Sequence, residues 1–200
     1  ICEIGLPVII INTVNNEEPT CEFVTSPEGA VGESITNATK VPCSITIRLH
    51  DEILYESGLY KADTSGATIK IRGNTSTTLR AKPYKLKLEK KADLLLRNDD
   101  DKYKDKEFLL LIAYKNLFRT YVGFTLNEII DMPYKPEIKP VNVFMNNKYR
   151  GLYYLTESVK RNKDCRINVD KKNGFIFEYD AYWWNEDYYI DTEFSNKKMK

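Results

Sequence analysis

Cations recur at every second position in two nearby stretches of this sequence: Lys70 and Arg72 in Ile69-Lys70-Ile71-Arg72, Lys85 and Lys87 in Tyr84-Lys85-Leu86-Lys87-Leu88. Successive side chains of an extended chain point to opposite faces, so each pair shares one face. If the two segments pair antiparallel, all four cations crowd together, and like charges set opposite each other destabilise a sheet unless something neutralises them. Two answers fit. One is solvent with carboxylates such as Glu89, Glu157 or Glu178. The other is a bound phosphate, met by lysine as a point charge and by arginine as a bidentate fork. The intervening loop, Gly73-Asn74-Thr75-Ser76-Thr77-Thr78, is rich in hydroxyls and backbone N–H groups and can fold over phosphate, although it lacks a Walker pattern.

The elements that must position these residues are mostly strands. Residues 6–14 (LPVIIINTV) read as a first apolar strand, followed by short β-like pieces, CEFVT, CSITIRL and ATIKIR, separated by Pro, Gly and Asn clusters. Lys90 to Lys106 is too charged for a strand and is expected as a solvated surface loop. EFLLLIAYK (107–115) has buried-strand length. From Leu117 to Ile130 the apolar residues fall near helical spacing, and Asp131-Met132-Pro133 ends the helix. VNVFMNNKYRGLYYLTE reads as a hairpin turning at Asn146-Asn147, since Asn tolerates the positive φ of tight turns. CRINV and GFIFEYDAYWW are expected as two further strands. The layout points to an α+β fold, an antiparallel β-rich sheet with one main helix. Residues 1–65 form the β-rich N-terminal part of the same domain as residues 66–200.

Composition limits the partners. The 200 residues, 42% apolar and 30% charged, suit one globular domain with its own core. With 30 Lys plus Arg against 29 Asp plus Glu, long-range attraction to nucleic acid or anionic membrane is not indicated, so any anion is bound locally. No stretch is apolar enough to span a membrane. The chain begins without Met and shows no intact signal peptide, which suggests a mature or trimmed form. Cys2, Cys21, Cys43 and Cys165 are widely spaced and His50 is the single histidine, a poor set for zinc. Cys21 and Cys43 form a disulfide if their flanking strands pair, which implies an exported protein, or else remain reduced thiols. The triplet Asp99-Asp100-Asp101 lacks the alternating carboxylates and central glycine of a calcium loop.

Four strings in order, IRGNTSTTLRAKPYKLKLEKK, FLLLIAYKNLFRTYVGFTL, VNVFMNNKYRGLYYLTESVKR and RINVDKKNGFIFEYD, resemble the spore coat protein H (CotH) kinase family. The resemblance implies an atypical protein-kinase-like fold that binds ATP with Mg²⁺ and transfers phosphate to Ser/Thr hydroxyls of a protein substrate, in an extracytoplasmic or cell-envelope setting. Carried over by position, Lys85 and Lys87 lie in the family's lysine strand, Arg72 and Ser76 in its RGN-S loop, Arg119 at the helix entry, and Glu157 at the close of the hairpin. Lys87 with Glu157 suggests the lysine–carboxylate pair that kinases use to place phosphates, with Lys85 the other candidate. The family's downstream Asp segments, which orient the acceptor and hold metal, are not in this chain. It therefore reads as a nucleotide-side portion, truncated before the catalytic half, with no catalytic or metal-binding residue assigned and neither Asp180 nor Asp187 promoted to those roles. Lys115-Asn116 also departs from the acidic residue expected there. The competing reading is a non-catalytic envelope module that holds carbohydrate or a protein partner on the basic face or on Tyr182, Trp183, Trp184, Tyr188 and Tyr189.

Overall fold

A computed structural model describes residues 5–28, 33–97, 101–113, 117–162, 166–170, 172–178, 182–185, 188, 190–191 and 198–199. The period-two alternation read from the sequence becomes ten strands within residues 8–157: β1 (Val8–Thr13), β2 (Glu22–Thr25), β3 (Glu33–Thr36), β4 (Val41–Leu49), β5 (Glu52–Glu56), β6 (Ala67–Ile71), β7 (Tyr84–Ala92), β8 (Asp105–Ile112), β9 (Ile138–Met145) and β10 (Lys148–Glu157). The helix α1 (Leu117–Ile129) stands between β8 and β9, and the short β11 (Ile190–Asp191) and β12 (Lys198–Met199) pair with each other.

Seven of these strands close on themselves. Around the ring the order is β1, β9, β10, β8, β7, β6, β4, and β4 returns to β1 through the antiparallel ladder from Val8↔Arg48 to Thr13↔Cys43. Closure leaves these strands without a continuous open edge. Among these seven strands only the β1–β9 pairing is parallel. The second edge of β4 is shared, Val41–Cys43 pairing with β6 and Thr46–Leu49 with β5. This architecture overturns the α+β, kinase-like expectation. Among the described residues strand accounts for 44% and α- and 3-10 helix together for 15%, a closed barrel with one α-helix. The sequence shows each strand's alternation but carries no mark that the first strand joins the fourth.

The barrel interior is one apolar core. Ile9 and Ile11, Cys43, Ile45 and Ile47, Ala67 and Ile69, Leu86 and Leu88, Phe108 and Leu110, Val143 and Met145, and Tyr153 and Leu155 are all buried there. Each large aliphatic or aromatic side chain so removed from water contributes about 1.5–3 kcal/mol of transfer free energy. One end of the barrel is closed by residues 93–97. Asp93 accepts the amides of Leu95 and Arg97, turning the chain so that Leu94 and Leu95 enter the core. The expected surface loop from Lys90 to Lys106 is thus corrected: β7 continues to Ala92 and the next turn is a plug.

The hairpin at Asn146-Asn147 forms as expected, both residues at positive φ (51° and 60°). The helix ends where Asp131-Met132-Pro133 predicts. Cys43 lies inside the barrel and its flanking strand does not pair with β2, so the proposed bridge to Cys21 does not form; both thiols are free, and burial pushes the Cys43 pKa up to about 12. Of the two C-terminal strands expected, residues 166–169 contribute only an isolated bridge, Arg161↔Ile167, and residues 172–178 lie in no strand. Cys2, Asp99, Asp100, Lys115, Asn116, Cys165, Asp180, Asp187 and Tyr189 lie outside the described residues. Among the described residues no helix is long and apolar enough to cross a membrane.

Candidate anion-binding site

The antiparallel pairing of β6 with β7 places Ile69 opposite Leu86 inside the barrel and Lys70 opposite Lys85 outside it. Inward apolar residues thus force the intervening cations onto the outer wall. Lys87 also points outward, beside Thr68 and Glu107 on the adjacent strands, and is exposed with no ion-pair or hydrogen-bond partner among the described residues. Arg72 follows two residues beyond Lys70; it is half-buried, and burial lowers its pKa against an opposing pull from Glu178.

The cations are met by a carboxylate that sequence reasoning missed. Glu107, on β8, accepts Lys85 Nζ at 3.1 Å. Of the acids expected to neutralise the face, Glu89 instead accepts the amide of Asp63, and Glu157 points into the barrel end. There Glu157 is buried, accepting Arg97 Nη1 at 2.7 Å, the guanidinium of Arg166, and the amide of Glu137 at 3.2 Å. The Lys87–Glu157 pair is therefore not formed. Glu157 is one residue beyond the register that would face the lysines, and the side-chain alternation sends it inward. The signal for Glu107 was its place at the start of the buried strand EFLLLIAYK, a position that becomes a neighbour of Lys85 only once β7 and β8 are aligned.

Glu107 joins a larger ionic chain. Lys160 Nζ lies 2.6 Å from Asp105 Oδ1 and 3.8 Å from Glu107 Oε2, and Arg166 Nε lies 3.9 Å from Asp105 Oδ2. Burial alone would raise both carboxyls. At Asp105 the Lys160 bond, the Glu107 amide and the Arg166 charge outweigh it, and at Glu107 the bonds and charges of Lys85 and Lys160 do so, holding both below the usual carboxylate range. A depressed folded-state pKa gives stability that is present above the unfolded-state value and lost as pH falls through the folded one. We expect urea unfolding to show stability falling below about pH 4.5, by at most about 1.4 kcal/mol per pH unit for each carboxylate. Glu107→Gln should remove its share of that slope; an unchanged slope would show that Glu107 does not couple to folding.

The hydroxyl loop is held from several sides. Its Thr75–Thr78 segment forms a single 3-10 turn in which Thr77 is buried and Lys82 Nζ donates to the Thr77 carbonyl. Gly73 has φ +87°, a backbone conformation that strains any residue with a Cβ, and a Cβ there would also lie 2.8 Å from Ser76 Oγ. Ser76 itself is half-buried against it. From outside, Ser34 Oγ donates to Asn74 Oδ1 at 2.7 Å, Asn185 Nδ2 donates to Ser34 Oγ at 2.9 Å, and the hydroxyls of Thr75 and Tyr182 share a hydrogen bond at 2.6 Å. The turn containing Tyr182 and Asn185 is therefore tied to the loop, directly by Tyr182 and through Ser34 by Asn185, while Tyr188 is exposed. Asn185→Ala should cost about 1 kcal/mol and speed amide exchange in residues 74–78; unchanged exchange would mean that the loop holds itself.

Arg119 sits in the first turn of α1, exposed and without an ion-pair partner among the described residues, so the structure does not join it to the lysines. Nor do the described residues contain a group of three His, Cys, Asp or Glu side chains arranged to hold a metal ion; Asp101, of the acidic triplet, pairs with Lys104 at 2.6 Å.

A closed β-barrel whose outer wall carries cross-strand lysines beside a clamped hydroxyl loop defines the class: a barrel domain with a local cationic face. Residues 69–200 match the family described as CotH kinase protein, and the chain belongs to that family. No individual curated protein matches the sequence.

Proposed function

We propose that this domain is the nucleotide-binding part of a CotH-type kinase, in which the outer lysines of β6 and β7 receive the phosphates of ATP. The observation that carries the reading is the Lys85–Glu107 pair at 3.1 Å, set directly across from Lys70. A lysine held by one carboxylate keeps a fixed direction, and its remaining N–H donors stay available for phosphoryl oxygens. Arg72 and the hydroxyl loop, with its exposed Thr75 and half-buried Ser76, continue the same face beyond the end of β6 and suit further phosphate oxygens. Lys87, exposed and without an ion pair among the described residues, is given no role in this arrangement.

ATP bound with Mg²⁺ supplies an electrophilic γ-phosphoryl group whose charge the metal shares. The residues described here fit the anionic part of that ligand. They bind and orient phosphate, and no metal ligand or acceptor-orienting base is assigned among them. The protein hydroxyl acceptor and a cell-envelope location belong to the family reading and enter with it. The carbohydrate-binding alternative draws less support, because Tyr182 and Asn185 direct their polar groups to the loop and to Ser34 rather than outward. Calorimetry with ATP–Mg²⁺ tests the reading. Saturable binding is expected, and absence of heat at millimolar nucleotide, with no shift in melting temperature, would remove it.

A further inference from the structure

The β4–β6 ladder runs Cys43↔Ala67, Pro42↔Thr68, Val41↔Ile69, and Lys40, the residue just before β4, comes close enough for its charge to act on Lys70. Lys70 in turn faces Lys85. Lys40 at the entry to β4, Lys70 on β6 and Lys85 on β7 thus form one row across the outer wall. Directly opposed residues on neighbouring strands have Cβ atoms about 4.5–5.5 Å apart, and like charges at that spacing are destabilising. The closeness is evident in Lys70, whose pKa is lowered by burial and then by Lys85 and Lys40, with Glu107 alone pulling the other way.

Among the described residues the row is neutralised only at one end. Glu107 reaches Lys85 at one end and is shared with Lys160, whereas Lys40 and Lys70 have no ion pair. A sheet that needed only solvation would gain by placing Thr or Glu at the central position. We propose that Lys40, Lys70 and Lys85 form a single polyanion-binding row that takes the polyphosphate chain of the nucleotide directly, without a bridging metal ion. Two inter-strand spacings make the row roughly 10 Å long, so an extended chain of phosphates touches all three ammonium groups where a single phosphate cannot. The choice of ligand rests on the nucleotide reading above. Lys40 lies outside residues 69–200, so the family match does not assign it.

The probe is inorganic tripolyphosphate in the presence of EDTA, titrated into the full chain. The wild type is expected to bind and to melt at higher temperature with ligand. Lys70→Ala should weaken binding at least about tenfold and Lys40→Ala roughly threefold to tenfold, with Lys87→Ala changing it less than about twofold. Lys70→Met, which removes the central repulsion, should raise the melting temperature of the free protein while abolishing the shift produced by tripolyphosphate. A purely structural lysine would not give those opposite signs. No binding in EDTA, or equal binding by the wild type, Lys40→Ala and Lys70→Ala, would overturn the row. ATP–Mg²⁺ binding that ignores Lys40 and Lys70 would overturn it while leaving the nucleotide reading intact. Row-dependent tripolyphosphate binding without ATP binding would support the row and remove the nucleotide reading.

Discussion

Glu157→Ala is expected to lower the free energy of unfolding by about 3–5 kcal/mol, because it removes the buried carboxylate that two guanidinium groups share. The side chains of Glu157 and Arg166 are 1% and 0% exposed, and both Arg166 and Arg97 donate to the same carboxylate oxygen. Arg97 retains Asp93 at 2.9 Å, and Arg166, the more deeply buried of the two, keeps Asp105 at 3.9 Å. The Glu137 amide loses its acceptor as well. Glu157→Gln keeps an acceptor and the side-chain shape, and should fall between wild type and alanine. Urea denaturation at pH 7 measures the difference. A loss under about 1 kcal/mol in the alanine variant would mean that water or a rearranged Asp105 replaces the carboxylate. If stability held but nucleotide binding collapsed, Glu157 would regain the phosphate-positioning role that its place in the hairpin motif suggests.

The second large effect separates the two lysines of β7. Lys85→Ala should weaken ATP–Mg²⁺ binding by about tenfold to a hundredfold, the range for losing a hydrogen bond to a charged group, and Lys87→Ala by less than about twofold. The difference rests on preorganisation. Lys85 is held by Glu107 at 3.1 Å and is half-buried beside Lys70, whereas Lys87 is exposed and must lose rotamer freedom to meet a ligand. Glu107→Gln should give a smaller loss than Lys85→Ala, since it frees the lysine without removing it. Calorimetry on the three variants decides the order; equal affinities for wild type and Lys85→Ala would refute the assignment, and a larger effect at Lys87 would transfer it.

Much of the site was legible because it is local. The alternation in Ile69-Lys70-Ile71 and Tyr84-Lys85-Leu86 put Lys70 and Lys85 outward, the Asn146-Asn147 turn set β9 against β10, and the composition of the loop after Arg72 marked a hydroxyl-rich turn. The ordered motifs were enough to point to the CotH family, which the match over residues 69–200 shows. What failed depended on neighbours distant in the chain. Glu157 is 70 residues from Lys87, and nothing local says whether its strand places it inside or outside. Leu94 and Leu95 sit in so charged a segment that their burial was hidden until the plug closed the barrel.

Taken alone, the sequence determined which side chains share a face, where the hairpin and the helix lie, and the family. Tertiary structure decided that β1 closes on β4, that Glu107 and not Glu157 meets the strand lysine, and that the start of β4 runs beside β6. The reason is the range of the forces involved. Side-chain direction follows from backbone geometry within two or three residues, but the partner of a charge follows from strand register. Register is selected by the apolar packing of the whole barrel at once.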